Sequence, residues 1–182
     1  MAVALQARKW TLAEMHRLPE DGNKYEVVFG ELFVTPPPSV DHEDIAARLS
    51  AILTPYVQAE RLGYVYHPRA VVRFKGSEVE PDLYVRQRVA DPKGNDRDWN
   101  RAPVPILVVE ILSHYTRRRD REQKKELYME LGVAEYWIVD PEARAISVVS
   151  RLAGDRSVDA DMLWAPAGAP RELTFRVGEL FE

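Results

Sequence analysis

The chain has 182 residues, 25 Lys+Arg against 29 Asp+Glu (a net charge of −4), with 46% hydrophobic and 30% charged residues. That is ordinary globular composition, and it excludes a disordered chain, which needs low hydrophobicity and high net charge. Cysteine is absent, which excludes disulfides and thiolate metal sites and fits a reducing cytoplasm. The length predicts one domain over residues 1–182, no apolar run approaches a membrane span, and the N-terminus does not read as a signal peptide.

Along the chain, Trp10 to Pro19 reads as a short helix capped by Thr11. Residues 25–34, YEVVFGELFV, predict a hairpin turning at Gly30, and Pro36 to Pro38 force an extended exit. Ser39 to Tyr56 places Ile45, Leu49, Ile52, Leu53 and Tyr56 on one helical stripe, with Pro55 expected to end or kink the helix. Residues 64–74 and 79–85 predict two strands joined by a Gly-Ser turn at 76–77, and 86–102 a polar loop. Residues 104–112 are apolar on both alternations, as in a central strand covered on both faces. A helix from Arg117 to Leu131 ends at Gly132. Strands at 135–140 and 145–149, with edge strands near 160–164 and 172–177, complete the order.

Three charges break this pattern. Glu110 lies inside the most apolar strand, where an isolated carboxylate is costly and must be protonated, paired or bound to a cation. Asp82 follows Pro81 in VEPDLYV and alternates with Leu83. Lys124 shares a helical face with Leu127, Tyr128 and Leu131, whereas Lys125 projects about 100° away. One reading is a buried structural ion pair; the other is a carboxylate pair holding a divalent cation beside an ammonium.

The order Pro81-Asp82, then Glu110-Ile111-Leu112, resembles the PD-(D/E)XK nuclease superfamily. More narrowly, Val109 to Ser113, Thr116, Asp120, Lys124, Tyr128 and Gly132 to Pro141 resemble a large bacterial family of restriction-endonuclease-like proteins. The likeness extends to Tyr25-Glu26, Gly30-Glu31-Leu32 and His42. The superfamily's usual lysine falls at position 112, which is Leu112 here; the resemblance implies that it has migrated to Lys124. His114-Tyr115 is a smaller departure.

The resemblance implies an α/β fold of restriction-endonuclease type, a central mixed sheet flanked by helices with an added N-terminal hairpin. It also implies Mg²⁺-dependent hydrolysis of DNA, with Mn²⁺ as a substitute. Asp82, Glu110 and the Ile111 carbonyl would be the metal ligands, and Lys124 would be catalytic. Glu26, Glu31 and His42 are secondary candidates. The run His114 to Lys125 carries six basic against two acidic residues, which makes Arg117, Arg118 and Arg121 candidates for phosphate binding. A homodimer is the expected assembly, because duplex cleavage takes two cuts. The alternative is an inactive nucleic-acid-binding or dimerising module of the same fold.

Overall fold

The computed structural model describes residues 8–87 and 102–182; the expected polar loop at 86–102 lies mostly outside them. The short helix forms as α1 (Leu12–Met15), held by a capping box: the Thr11 hydroxyl accepts the Glu14 N–H and the Glu14 carboxylate accepts the Thr11 N–H. β1 (Lys24–Val28) and β2 (Glu31–Thr35) form the hairpin. Its turn residues Phe29 and Gly30 both have positive φ, the backbone that two-residue hairpin turns require.

α2 (Val40–Ala59) runs past Pro55 instead of ending there. Pro55 and Ala51, whose carbonyl loses its partner, both face solvent, while Leu53 and Val57 on either side are buried and hold the last turns to the sheet. The segment expected to give two strands gives four. β3 (Tyr64–Tyr66) and β6 (Leu83–Arg86) join one sheet, whereas β4 (Val72–Phe74) and β5 (Ser77–Val79) join another. Pro68 and Pro81 interrupt the ladders, and Arg69 takes φ 76°, so the chain leaves one sheet and returns to it. The β4–β5 turn falls at Lys75-Gly76, one residue earlier than expected, with Ser77 already in the strand.

β7 (Leu107–Ile111) is fully buried, antiparallel to β6 and parallel to β8 (Glu135–Asp140). With β9 (Ala145–Ser150) and β10 (Arg156–Val158) the six-stranded sheet has the order β10-β9-β8-β7-β6-β3; the four-stranded sheet is β2-β1-β5-β4. The N-terminal hairpin is therefore not a mere appendage, because β4 and β5 extend it into a second sheet. β11 (Asp161–Trp164) and β12 (Leu173–Arg176) pair separately, followed by a 3₁₀ turn at Val177–Phe181.

Alternation along β6, β7 and β8 sorts the core into two layers. Leu83, Val85, Leu107, Val109, Trp137 and Val139 pack against Ile45, Leu49, Leu53 and Val57 of α2. On the other face Tyr84, Val108, Tyr136 and Ile138 meet Val28, Val72 and Val79 of the second sheet. Leu127 and Tyr128 cover this face too. They come from a helix in three consecutive pieces: α3 (Arg117–Arg119), a π-helical turn (Asp120–Lys124) and α4 (Lys125–Leu131). Gly132, at φ 98°, ends it. Among the described residues no helix is long and apolar enough to cross a membrane.

Candidate active site

Leu83 pairs with Val109, so the next antiparallel step sets Asp82 opposite Glu110. Both fall on the face that carries Tyr84 and Val108, beneath the three-piece helix. Pro81 has distorted the ladder there, and the Asp82 carboxylate completes it: Ile111 N–H donates to Asp82 Oδ2 at 2.7 Å. His42, from the first turns of α2, contacts the same oxygen through Nε2 at 3.2 Å. Two like charges facing each other across a ladder repel, so both acids need neutralising neighbours.

Those neighbours are three buried or half-buried cations. Lys124 Nζ is 2.7 Å from Glu110 Oε1, 2.9 Å from Glu26 Oε1 and 3.7 Å from Asp120 Oδ1, with no exposed surface. Tyr128 donates its hydroxyl to the same Glu110 oxygen at 2.7 Å. Arg119 Nη1 lies 3.2 Å from Glu26 Oε2 and donates to Thr35 Oγ1 at 3.0 Å. Lys24, the first residue of β1, donates to the Glu80 carbonyl at 3.1 Å and sits 3.6 Å from Asp82 Oδ1.

The π turn explains how Arg119 comes in. Residues five apart on an α-helix point about 140° away from each other, five steps of about 100°. Bonding from i to i+5 rotates Arg119 toward the side of Lys124 and Asp120, and Tyr136 pins the turn by donating its hydroxyl to the Asp120 carbonyl at 3.0 Å.

The carboxylates are shifted in opposite directions. Burial pushes Glu110 up to about 7, with Asp82 and Asp120 adding to it and Lys124 opposing. Glu26 is equally buried, but Lys124, Lys24 and Arg119 together pull it down to about 2. Burial also opposes the charge of Asp82, yet Lys24, the His42 contact and the Ile111 N–H hold it far below the usual carboxylate range. Burial disfavours the Lys124 ammonium, and Glu110, Glu26 and Asp120 outweigh that and raise it.

Can this cluster take a divalent cation? Burial opposes the charge of His42 and the Asp82 contact outweighs it, raising His42. The cluster sets three cations (Lys24, Lys124, Arg119) against four acids (Glu26, Asp82, Glu110, Asp120), 3 − 4 = −1, only once His42 and Glu110 have both lost their protons. Both hydrogen bonds to Glu110 arrive at Oε1, leaving Oε2 without one among the described residues. Among the described residues Asp82 Oδ2 takes both of that residue's hydrogen bonds, leaving Oδ1 with only the Lys24 contact. Two hard carboxylate oxygens fit Mg²⁺ once Glu110 is ionised, because Mg²⁺ keeps several waters and needs only one or two carboxylates. No three His, Asp or Glu side chains converge to cage a metal among the described residues.

The family described as "Putative restriction endonuclease", Uma2, matches residues 12–177. The chain belongs to the Uma2 family. Its fold is shared by a solved structure from Anabaena variabilis described as a putative nuclease belonging to DUF820. The two superpose with a TM-score of 0.69 at 21% identity, over 94% of this chain and 97% of that one. At that identity the likeness speaks for the restriction-endonuclease-like fold. No curated protein matches the chain.

The remaining candidates of this Uma2 chain divide. Glu26 and His42 enter the cluster. Glu31 does not; it is exposed and accepts the Gln123 amide at 2.6 Å. Arg117 and Arg121 converge on Asp140 Oδ2, at 2.7 and 2.8 Å, and Arg118 pairs with Glu122 at the surface. The basic run is thus largely neutralised by acids of its own chain. Lys24 escaped the sequence reading, whereas Asp120 entered it within the resemblance and Arg119 within the basic run, neither with a role in the cluster.

Proposed function

We propose that this Uma2 protein is a Mg²⁺-dependent nuclease that hydrolyses DNA phosphodiesters at the Asp82–Glu110 pair. One observation carries the reading: two buried carboxylates stand opposite each other at the end of the β6–β7 ladder, and each keeps one oxygen without a hydrogen bond among the described residues. Asp82 Oδ1, Glu110 Oε2 and the Ile111 carbonyl would hold the cation. When bound, Mg²⁺ supplies a Lewis acid for the phosphate and a water of lowered pKa.

The protein's own residues prepare that surface. The Ile111 N–H and His42 fix the Asp82 plane through Oδ2, which leaves Oδ1 beside Lys24. Tyr128 and Lys124 grip Glu110 by Oε1 and leave Oε2 without a hydrogen bond among the described residues. A second copy of the chain would supply the second cut of a duplex.

Supercoiled plasmid incubated with Mg²⁺ or Mn²⁺ tests the proposal. Nicked and linear products are expected from the native protein and not from Asp82→Ala prepared in parallel. Equal cleavage by both proteins, or none by the native one, overturns it.

A further inference from the structure

We infer that Lys24 is the ammonium that meets the scissile phosphate in this site, and that Lys124 organises the carboxylates without reaching the substrate. The inference rests on the nuclease reading above and deepens it.

Lys124 is enclosed. It has no exposed surface, and Glu110, Glu26 and Asp120 surround its Nζ within 3.7 Å. An ammonium has three N–H donors, and two of these point at buried carboxylates. Moving the ammonium toward a substrate strands both acids. Lys24 approaches the cluster from the other sheet and retains 21% of its side-chain surface. Among the described residues its one hydrogen bond goes to the Glu80 carbonyl at 3.1 Å; Asp82 Oδ1, at 3.6 Å, is a charge neighbour outside hydrogen-bond range. Two N–H donors therefore stay available, next to the one oxygen of Asp82 that carries no hydrogen bond.

A phosphate drawn to a cation held at Asp82 Oδ1 would present a non-bridging oxygen to those donors. In hydrolysis the water oxygen bonds to phosphorus while the bond to the departing sugar oxygen breaks. The water gives up a proton to solvent and the departing oxygen takes one up. Lys24 undergoes no covalent change; it stays charged and donates to the non-bridging oxygen as negative charge grows there.

The absence of cysteine makes a clean test available. Lys24→Met and Lys24→Cys are prepared, and the latter is alkylated with 2-bromoethylamine, which rebuilds an ammonium at that single thiol. Plasmid cleavage in Mg²⁺, Mn²⁺ binding and melting temperature are measured for each. Both variants are expected to lose about 10²–10³-fold in cleavage rate, the cost of removing one transition-state donor. Mn²⁺ binding should persist in both, melting should fall because Asp82 loses a neutralising cation, and alkylation should restore melting and cleavage together. Where Lys24→Met fails to fold, Lys24→Cys before and after alkylation gives the answer on one preparation.

Cleavage by Lys24→Met within about threefold of the native rate overturns the inference. So does an alkylated protein that is folded and binds Mn²⁺ yet stays as slow as its thiol parent. A native protein that cuts no DNA with either metal sinks the nuclease reading itself, before any variant is compared.

Discussion

The Lys124 ammonium sits 2.7 Å from Glu110 Oε1 and has no surface exposed to solvent. Its second carboxylate, Glu26, lies 2.9 Å away on the other sheet, so one lysine ties the two sheets and the helix together through charge. Removing a single partner of a buried ion pair leaves uncompensated charge and costs about 3–5 kcal/mol. Lys124→Met is therefore expected to destabilise the fold by about that amount in a urea titration. Lys125, one residue on, pairs with Asp155 at the surface, both side chains well exposed. Lys125→Met should change stability by no more than about 1 kcal/mol and leave cleavage alone. Comparable losses in the two variants would contradict the buried-pair geometry.

The opposite shifts of the two glutamates make stability depend on pH in two windows. Glu26 is lowered from 4.5 to about 2, so its contribution is fully present above pH 4.5 and lost as pH falls through about 2. Glu110 is raised from 4.5 to about 7, so the fold is favoured while Glu110 is protonated and loses stability as pH climbs from 4.5 through about 7. Urea titrations between pH 3 and pH 8 should show both limbs. Glu110→Gln should flatten the upper limb and leave the lower one in place. An upper limb that survives in Glu110→Gln would assign it to another group.

Much of this site was legible because a charge stood where the pattern demanded a hydrocarbon. Glu110 interrupts an apolar strand, and Lys124 continues an apolar helical stripe. Lys24 gave no such signal: a lysine opening a strand is commonplace, and only the second sheet, itself hidden by the breaks at Pro68 and Pro81, brings it to Asp82. Arg119 was counted only in the basic run because α-helical periodicity points it away from Lys124, and the π turn that redirects it leaves no local mark. The basic run misled because its neutralising partner, Asp140, lies on a strand 19 to 23 residues later.

That last pairing predicts its own experiment. Asp140 is buried, takes Arg117 and Arg121 together on Oδ2, and accepts the Glu142 and Ala143 N–H groups on Oδ1. It pins the start of the three-piece helix to the end of β8. Arg117→Gln and Arg121→Gln should each cost about 1–3 kcal/mol of stability, the range for a hydrogen bond to a charged group. Their effect on the salt dependence of DNA binding should be small. A drop of about one unit in the salt slope for either variant, with stability unchanged, would restore these arginines to phosphate binding.

Divalent cation should stabilise the native fold, and Glu110 sets how that stabilisation varies with pH. A ligand bound only by the folded state adds RT ln(1 + [L]/Kd), about 2.7 kcal/mol at a hundred times Kd. Mg²⁺ or Mn²⁺ should therefore raise the melting temperature of the native protein, and the rise should vanish in Asp82→Ala and in Glu110→Ala. A protonated Glu110 must release its proton before Oε2 can ligate. Because burial holds that proton on up to about pH 7, Mn²⁺ affinity should fall about tenfold per unit below pH 7. Above that pH it should level off, and proton release measured in weakly buffered solution should follow the same curve. A melting shift equal in native protein and Glu110→Ala, or an affinity flat between pH 5 and pH 8, would place the cation elsewhere on the molecule.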